Sequence, residues 1–79
     1  MTLFETAWQS YEQCCVPPSA SVAQRIETRR AFYAGAATTL NAVLETGEDD
    51  ISEDAGVERL ESMKADIAIF TEKIKNGQA

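Results

Sequence analysis

Three arginines and three aromatic side chains are the residues of this sequence whose types and spacing could do chemistry. Guanidinium groups grip phosphate oxygens through paired hydrogen bonds, and aromatic rings stack on nucleobases. Arg25 and Arg29 are four residues apart, which places them on one face of a helix. The sequence therefore predicts a pocket able to hold a small nucleotide. The candidate ligand-binding residues are Trp8, Tyr11, Arg25, Arg29, Arg30 and Tyr33.

A second interpretation gives these side chains a structural role. In it, Trp8, Tyr11 and Tyr33 are core residues that pin the first helix to the rest of the chain. Glu27 and the acidic turn then pair with the arginines. The sequence leaves both interpretations open.

An acidic segment runs from Glu45 to Glu61 and is densest at Asp49, Asp50, Glu53 and Asp54. One interpretation is a solvated turn and helix face with no function. The other is a recognition surface that occupies a basic groove on a partner protein, including a groove made for nucleic acid.

The sequence contains few of the residues that catalysis or metal binding usually needs. The chain contains no histidine, so neither Cys14 nor any serine has its usual activating base. The acids cluster in a turn that we expect to be exposed, where nothing would shift the pKa of one carboxylate away from that of another. Cys14 and Cys15 are adjacent, and two thiols do not supply four tetrahedral ligands. We therefore expect a protein that is not an enzyme and that has no metal or cofactor.

Local signals predict three helices. Thr2 and Glu5 have the spacing of a capping box, and a helix from about residue 3 to 15 should stop where Val16 precedes a proline. The second helix is expected over about 20–46, beginning near Ser19 to Ser21 and ending at a left-handed Gly47. The third is expected over about 53–75, with Asp50 or Ser52 as its cap and a stop at Asn76 and Gly77.

Apolar side chains repeat with helical periodicity in all three segments. In the third helix the spacing alternates strictly between three and four, which is typical of side-by-side helix packing. Two long helices joined by a short turn must run antiparallel. We therefore predict an all-α fold in which a short N-terminal helix precedes a long antiparallel helical hairpin, as one domain over residues 1–79.

Charge is distributed unevenly along the chain. The formal net charge is −6, yet residues 1–44 carry three arginines against three glutamates. All of the excess acid lies in residues 45–79. DNA- and RNA-binding proteins usually have the opposite balance, so neither nucleic acid is an expected partner. No apolar run suits a membrane span or a secretion signal, and we expect a cytoplasmic protein with no membrane partner.

A chain of 79 residues has a thin core, and self-association is the simplest way to supplement it. The middle of the second helix is rich in small side chains that let another backbone approach closely. This patch consists of Ala31, Ala34, Gly35, Ala36 and Ala37. It is a predicted subunit contact of a homo-oligomer, although alanine is also simply the best helix former.

The segment Val16-Pro17-Pro18, then Gln24, then the octet Arg-Arg-Ala-Phe-Tyr-Ala-Gly-Ala over residues 29–36 resembles small proteins commonly encoded in phages and prophages of proteobacteria. The resemblance covers residues 8–74. In outline, a short helix before a hairpin is also similar to the hairpin family of phage anti-CBASS and anti-Thoeris sponges. Members of that family are homo-oligomers that sequester cyclic nucleotide signals of bacterial immune systems.

This resemblance implies roles for particular residues. Tyr11 matches the stacking aromatic on the first helix of the sponges, and Arg25 or Arg29 stands where that family uses a basic side chain. The second helix has no lysine, which departs from the family pattern. The leading hypothesis is a phage-derived, homo-oligomeric counter-defence protein that sequesters a small cyclic nucleotide between its subunits in the cytoplasm of the bacterial host. The rivals are an anti-CRISPR-like inhibitor that binds a defence complex through its acidic surface, and a phage structural or assembly adaptor.

Overall fold

The computed structural model describes all 79 residues of the chain. Three helices follow one another: α1 (Leu3–Cys15), α2 (Val22–Thr46) and α3 (Glu53–Lys75). No residue lies in a β-strand. The prediction of an all-α fold with three helices is confirmed.

Side-chain caps define where α1 and α2 begin. The Thr2 hydroxyl accepts the backbone N–H of Glu5 at 3.2 Å, and the Glu5 carboxylate accepts that of Thr2 at 3.3 Å. Ser21 and Gln24 form the same reciprocal pair at 3.1 and 2.7 Å. Because Ser21 is the cap, α2 begins at Val22, two residues later than the predicted residue 20.

Helices α1 and α3 end in two different ways. Val16 is extended, with φ −98° and ψ 119°, as a residue before proline should be. At the other end of the chain Gly77 is left-handed, with φ 71°, and donates to the carbonyl of Ile74 at 3.1 Å. Gln78 donates to the carbonyl of Lys73 at 2.8 Å, which completes a Schellman motif. The predicted stop of α3 is therefore confirmed.

The left-handed conformation predicted for Gly47 is wrong, since Gly77 is the one residue of the chain with positive φ. The N–H of Gly47 bonds the carbonyl of Leu44 at 3.1 Å, and the N–H of Glu48 bonds that of Glu45 at 3.2 Å. These tight i to i+3 bonds satisfy the last carbonyls of α2 without a left-handed residue. The next helix is then capped by Ser52, whose hydroxyl accepts from Ala55 at 3.1 Å.

Contacts between residues divide the chain into two compact units, Met1–Thr39 and Leu40–Ala79. In the first unit α1 packs against the first part of α2. Phe4, near the start of α1, has its ring 6.4 Å from that of Tyr33, and Glu12, near its end, lies 3.4 Å from Arg25. The two segments therefore run in opposite directions.

The second unit contains the end of α2, the connecting turn and α3. Gly56 is buried, and a Cβ placed there would lie 3.3 Å from the carbonyl oxygen of Thr46. One turn further along α3, Arg59 forms an ion pair with Glu45 at 3.5 Å. The first turns of α3 therefore lie against the last turn of α2, at a glycine that permits close backbone approach.

Trp8 is the one large apolar side chain that is buried, with 5% of its surface exposed. The apolar stripes predicted for α2 and α3 remain largely open, with Val22 75% and Ile67 64% exposed. None of the helices combines the length and the apolar character needed to cross a membrane.

Candidate functional site

The predicted site lies in the first unit and is organised around an aromatic cluster between α1 and α2. The ring of Trp8 lies 5.5 Å from that of Phe32 and 6.0 Å from that of Tyr11. Tyr11 and Phe32 are in turn 5.5 Å apart. These are the distances of favourable edge-to-face and tilted aromatic contacts. Phe4 and Tyr33 complete the cluster through contacts of 6.4 Å with each other and, for Tyr33, 6.0 Å with Phe32.

Burial separates the three predicted aromatic ligand residues. Trp8 is enclosed by the cluster, so the structure places it as a packing residue, and its predicted stacking on a base receives no support from its position. Tyr11 keeps 42% of its surface exposed, and Tyr33 is half-buried. The two tyrosines are therefore the rings with a face or edge that a ligand could contact.

Arg25 is engaged in holding the turn between α1 and α2. Its guanidinium forms an ion pair with Glu12 at 3.4 Å. It also donates to the carbonyl oxygens of Pro17 at 3.0 Å and Pro18 at 3.4 Å. The Pro17 carbonyl also accepts the backbone N–H of Ala20 at 3.0 Å, so Arg25 adds a second donor there and a longer bond to the Pro18 carbonyl. The bonds give Arg25 a structural role in the protomer.

Arg29 differs from Arg25 because no carboxylate pairs with it. Its guanidinium carbon lies 5.7 Å from the centre of the Tyr33 ring, within the range of a cation–π contact. Arg30 contacts Glu27 at 3.5 Å, in an ion pair whose side chains are about three-quarters exposed. Such an exposed pair contributes little to stability and is easily exchanged for another anion. Both guanidinium groups therefore have donors available to a ligand.

These two arginines line a shallow concave surface with Ile26 and Tyr33, which we call the arginine pocket. The four residues have the i, i+3, i+4, i+7 spacing of one helix face. The pocket has a volume of about 430 Å³, which is within the range of small-molecule sites. It offers two cations, an aromatic ring and an aliphatic floor, a combination suited to a phosphorylated aromatic ligand.

Two other concave surfaces of the first unit are less suited to phosphate. One of about 320 Å³ has Arg29 at its edge, but Glu5 and Glu12 also line it and would repel an anion. The other, of about 520 Å³, lies beside Tyr11, Cys15 and Pro17 and has no cationic lining residue. Charge therefore favours the arginine pocket as the anion site.

The structure brings together only part of the predicted set. Arg29, Arg30 and Tyr33 share the arginine pocket, whereas Tyr11 lines neighbouring concave surfaces and Arg25 faces the Pro17 turn. Ile26 was not among the predicted ligand residues. The signal that finds it is its spacing, because it lies three residues before Arg29 and seven before Tyr33.

The acidic candidates lie on the second unit. Asp49 and Asp50 are in the turn after α2, and Glu53 and Asp54 form the first turn of α3, where they complement the helix dipole. All four are exposed, and none takes part in the four ion pairs of the protomer. They form a negative surface with no cationic side-chain partner in the protomer.

Cys14 and Cys15 are both exposed, free thiols at the end of α1. A hydrogen bond with the Cys14 side chain, with smaller effects of desolvation and of the Cys14 charge, raises the pKa of the Cys15 thiol above its usual value. A raised pKa makes Cys15 a weaker nucleophile at neutral pH. No group of three or more potential ligands is placed to hold a metal ion.

No protein-family model matches the chain, and no curated protein or solved structure matches it either.

Proposed function

We propose that this chain is a phage-derived, non-catalytic counter-defence protein that binds a cyclic nucleotide immune signal and sequesters it as a homo-oligomer in the cytoplasm of the bacterial host. The observation that carries the proposal is the arginine pocket, in which Arg29 has no acidic partner and lies beside Arg30 and the Tyr33 ring. The phage origin in the proposal rests on the octet over residues 29–36, which contains these three residues and resembles phage and prophage proteins.

Each residue of the pocket has a distinct role in the proposal. Arg29 and Arg30 bind phosphate oxygens, with the anion replacing Glu27 as the partner of Arg30. Tyr33 or Tyr11 stacks on a base, and Ile26 provides apolar contact with the ring or sugar. Arg25 acts indirectly, because its bonds to Glu12 and Pro17 position α1 beside this face of α2.

The proposed protomer is a single domain in which α2 and α3 form a long antiparallel hairpin. Support comes from two contacts within the second unit. Gly56 lies against Thr46, and Arg59 pairs with Glu45. Residue numbers that rise along one helix and fall along the other are expected of antiparallel neighbours.

Native mass spectrometry of the full chain, alone and mixed with a panel of cyclic di- and trinucleotides, tests the proposal. We expect a defined oligomer that gains the mass of bound nucleotide. An Arg29→Ala, Arg30→Ala double variant should lose at least about tenfold in affinity, because charge-assisted phosphate contacts are worth more than 1.4 kcal/mol. The matched control is Arg59→Ala, Lys75→Ala, which removes two exposed, ion-paired cations elsewhere.

Retention of full nucleotide affinity by the folded Arg29→Ala, Arg30→Ala variant would show that this pocket is not the site. Equal loss in the control variant would show that affinity depends on net charge alone. Absence of any bound nucleotide across the panel would reject the cyclic nucleotide as ligand.

A second candidate function is inhibition of a bacterial defence complex through the acidic surface. The observation that favours it is the lack of any internal partner for Asp49, Asp50, Glu53 and Asp54. Charge reversal at these four positions should abolish binding to a basic partner while leaving nucleotide binding intact. Unchanged partner affinity after reversal would reject it.

A third candidate, a phage structural or assembly adaptor, is favoured by the exposed apolar side chains of α2 and α3. It differs from the first two in its expected ligands, because an adaptor binds neither a nucleotide nor a defence protein. The same mass spectrometry would then show oligomers of the chain with no added mass.

A further inference from the structure

One face of α3 has an apolar repeat that the single chain leaves largely uncovered. The residues alternate at spacings of three and four and form what we call the α3 seam: Leu60, Met63, Ile67, Phe70 and Ile74. The exposed fractions are 42% for Leu60, 64% for Ile67, 56% for Phe70 and 55% for Ile74, and Met63 is half-buried. A strict three-four repeat is the pattern with which one helix packs along another, so a second helix is the geometry that covers it.

Three charged residues flank the seam on one side, since Arg59, Asp66 and Lys73 immediately precede Leu60, Ile67 and Ile74. Arg59 is paired with Glu45 of α2, which leaves Asp66 and Lys73 at equivalent positions one heptad apart. Both are exposed, and neither takes part in the four ion pairs of the protomer. Charges in these positions select the partner and its orientation in paired helices.

We propose that the α3 seam is covered by the same seam of a second copy of the chain, with the two α3 helices antiparallel. This inference rests on the self-association in the proposed function and names the surface that performs it. When Ile67 packs against Phe70 of the partner subunit, Met63 falls opposite Ile74 of the partner subunit. The same register places Asp66 across from Lys73 of the partner subunit, and two-fold symmetry makes that ion pair twice.

The parallel alternative is disfavoured by charge. In a parallel pair of the same seams, Arg59 lies across from Lys64 of the partner subunit, which brings two cations together twice. Asp66 would then face only Thr71 of the partner subunit, an uncharged residue. Opposite charges therefore meet in the antiparallel register, and like charges meet in the parallel one.

Sedimentation equilibrium of the full-length chain, with circular dichroism of every variant, tests this surface. We expect the wild type to form a dimer, or an oligomer built from dimers. Ile67→Asp should raise the dimer dissociation constant by at least about tenfold, because the dimer would have to bury an unpaired carboxylate. Ile69→Asp is the matched control, since Ile69 is 59% exposed on the same helix but lies outside the seam.

The charge pair provides a test that leaves the apolar seam unchanged. Asp66→Lys alone and Lys73→Asp alone should each weaken the dimer, and the double exchange should restore it. This pattern is expected only if the two positions face each other across the interface. If Ile67→Asp loses helical content, these charge variants still test whether the two α3 helices pack against each other.

Several results would overturn the proposal. These are a monomeric wild type, equal weakening by Ile67→Asp and Ile69→Asp, or charge variants that leave the dimer unchanged. Nucleotide binding is measured separately on the same samples. A dimer that binds no nucleotide would reject the proposed ligand and leave the α3 seam standing. A monomer that binds nucleotide would reject both the α3 seam and the proposed homo-oligomer and leave the proposed ligand standing.

Discussion

The guanidinium of Arg29 lies 5.7 Å from the centre of the Tyr33 ring, one helical turn further along α2. Arg25, one turn earlier, is instead bonded to Glu12 and to the carbonyl of Pro17. Two arginines of one helix therefore have different roles, since one is committed to the fold and the other is free to meet a ligand. This difference leads to separable effects on stability and on binding.

Arg25→Ala should destabilise the protein by about 1–2 kcal/mol, because it removes a partly buried ion pair with Glu12 and two hydrogen bonds to the carbonyls of the turn. Arg30→Ala is the comparison, since its pair with Glu27 is about three-quarters exposed. We expect a change within about 0.5 kcal/mol for that variant. Urea unfolding followed by circular dichroism measures both. Equal stability of the two variants would contradict the structural role of Arg25.

Trp8→Ala should destabilise by about 3–5 kcal/mol, a large fraction of the stability of a small domain, because it empties the centre of the aromatic cluster. Leu3→Ala provides a control on the same helix, since Leu3 is 76% exposed. The control should stay within about 0.5 kcal/mol of the wild type. Thermal unfolding of both variants checks the difference, and a mild effect of Trp8→Ala would contradict the placement of this side chain.

Gly35→Ala should stabilise the chain by about 0.5–1 kcal/mol, since alanine is the better helix former and its Cβ would meet nothing within 4 Å. Gly56→Ala gains the same propensity, but its Cβ would lie 3.3 Å from the carbonyl oxygen of Thr46. We expect Gly56→Ala to be less stable than Gly35→Ala in urea unfolding. The reverse order would show that α3 does not approach α2 closely at this position.

Cys15 should react with iodoacetamide at a rate whose pH profile is displaced to higher pH than that of an ordinary thiol. The reason is its raised pKa, caused first by the hydrogen bond with Cys14, which leaves less thiolate at any pH below that pKa. Cys14→Ala removes the cause, so it should lower the pKa and speed alkylation of Cys15 near neutral pH. Mass spectrometry of the modified protein gives the rate, and an unchanged profile in Cys14→Ala would contradict the coupling.

The helix boundaries were predictable because they depend on local chemistry. Thr2 with Glu5, Ser52, and Asn76 with Gly77 each act within one turn of chain, and a sequence shows such signals directly. The left-handed conformation of Gly47 was predicted wrongly because the residue type alone does not determine how a helix ends. The last carbonyls of a helix can be satisfied by several hydrogen-bonding patterns. A glycine at this position does not show that the pattern after Leu44 is a pair of tight turns.

The pocket was only partly predictable, since helical spacing shows which side chains share a face but not what each one contacts. The spacing of Arg25 and Arg29 places them on one helix face. In the structure, however, the chain turns at Pro17 and its carbonyl oxygen accepts a hydrogen bond from Arg25. The burial of Trp8 likewise depends on Phe32, which belongs to another helix. Contacts between distant parts of the chain decide both outcomes, and composition and periodicity do not record them.

The aromatic cluster also makes the first unit optically distinct. The single tryptophan, Trp8, and both tyrosines, Tyr11 and Tyr33, lie within Met1–Thr39, whereas Phe70 is the sole aromatic residue of Leu40–Ala79. Intrinsic fluorescence therefore reports on the first unit alone, while far-ultraviolet circular dichroism reports on helices of both. Coincident melting curves from the two signals would mean that the units unfold as one cooperative system, and separated curves would resolve a partly folded species.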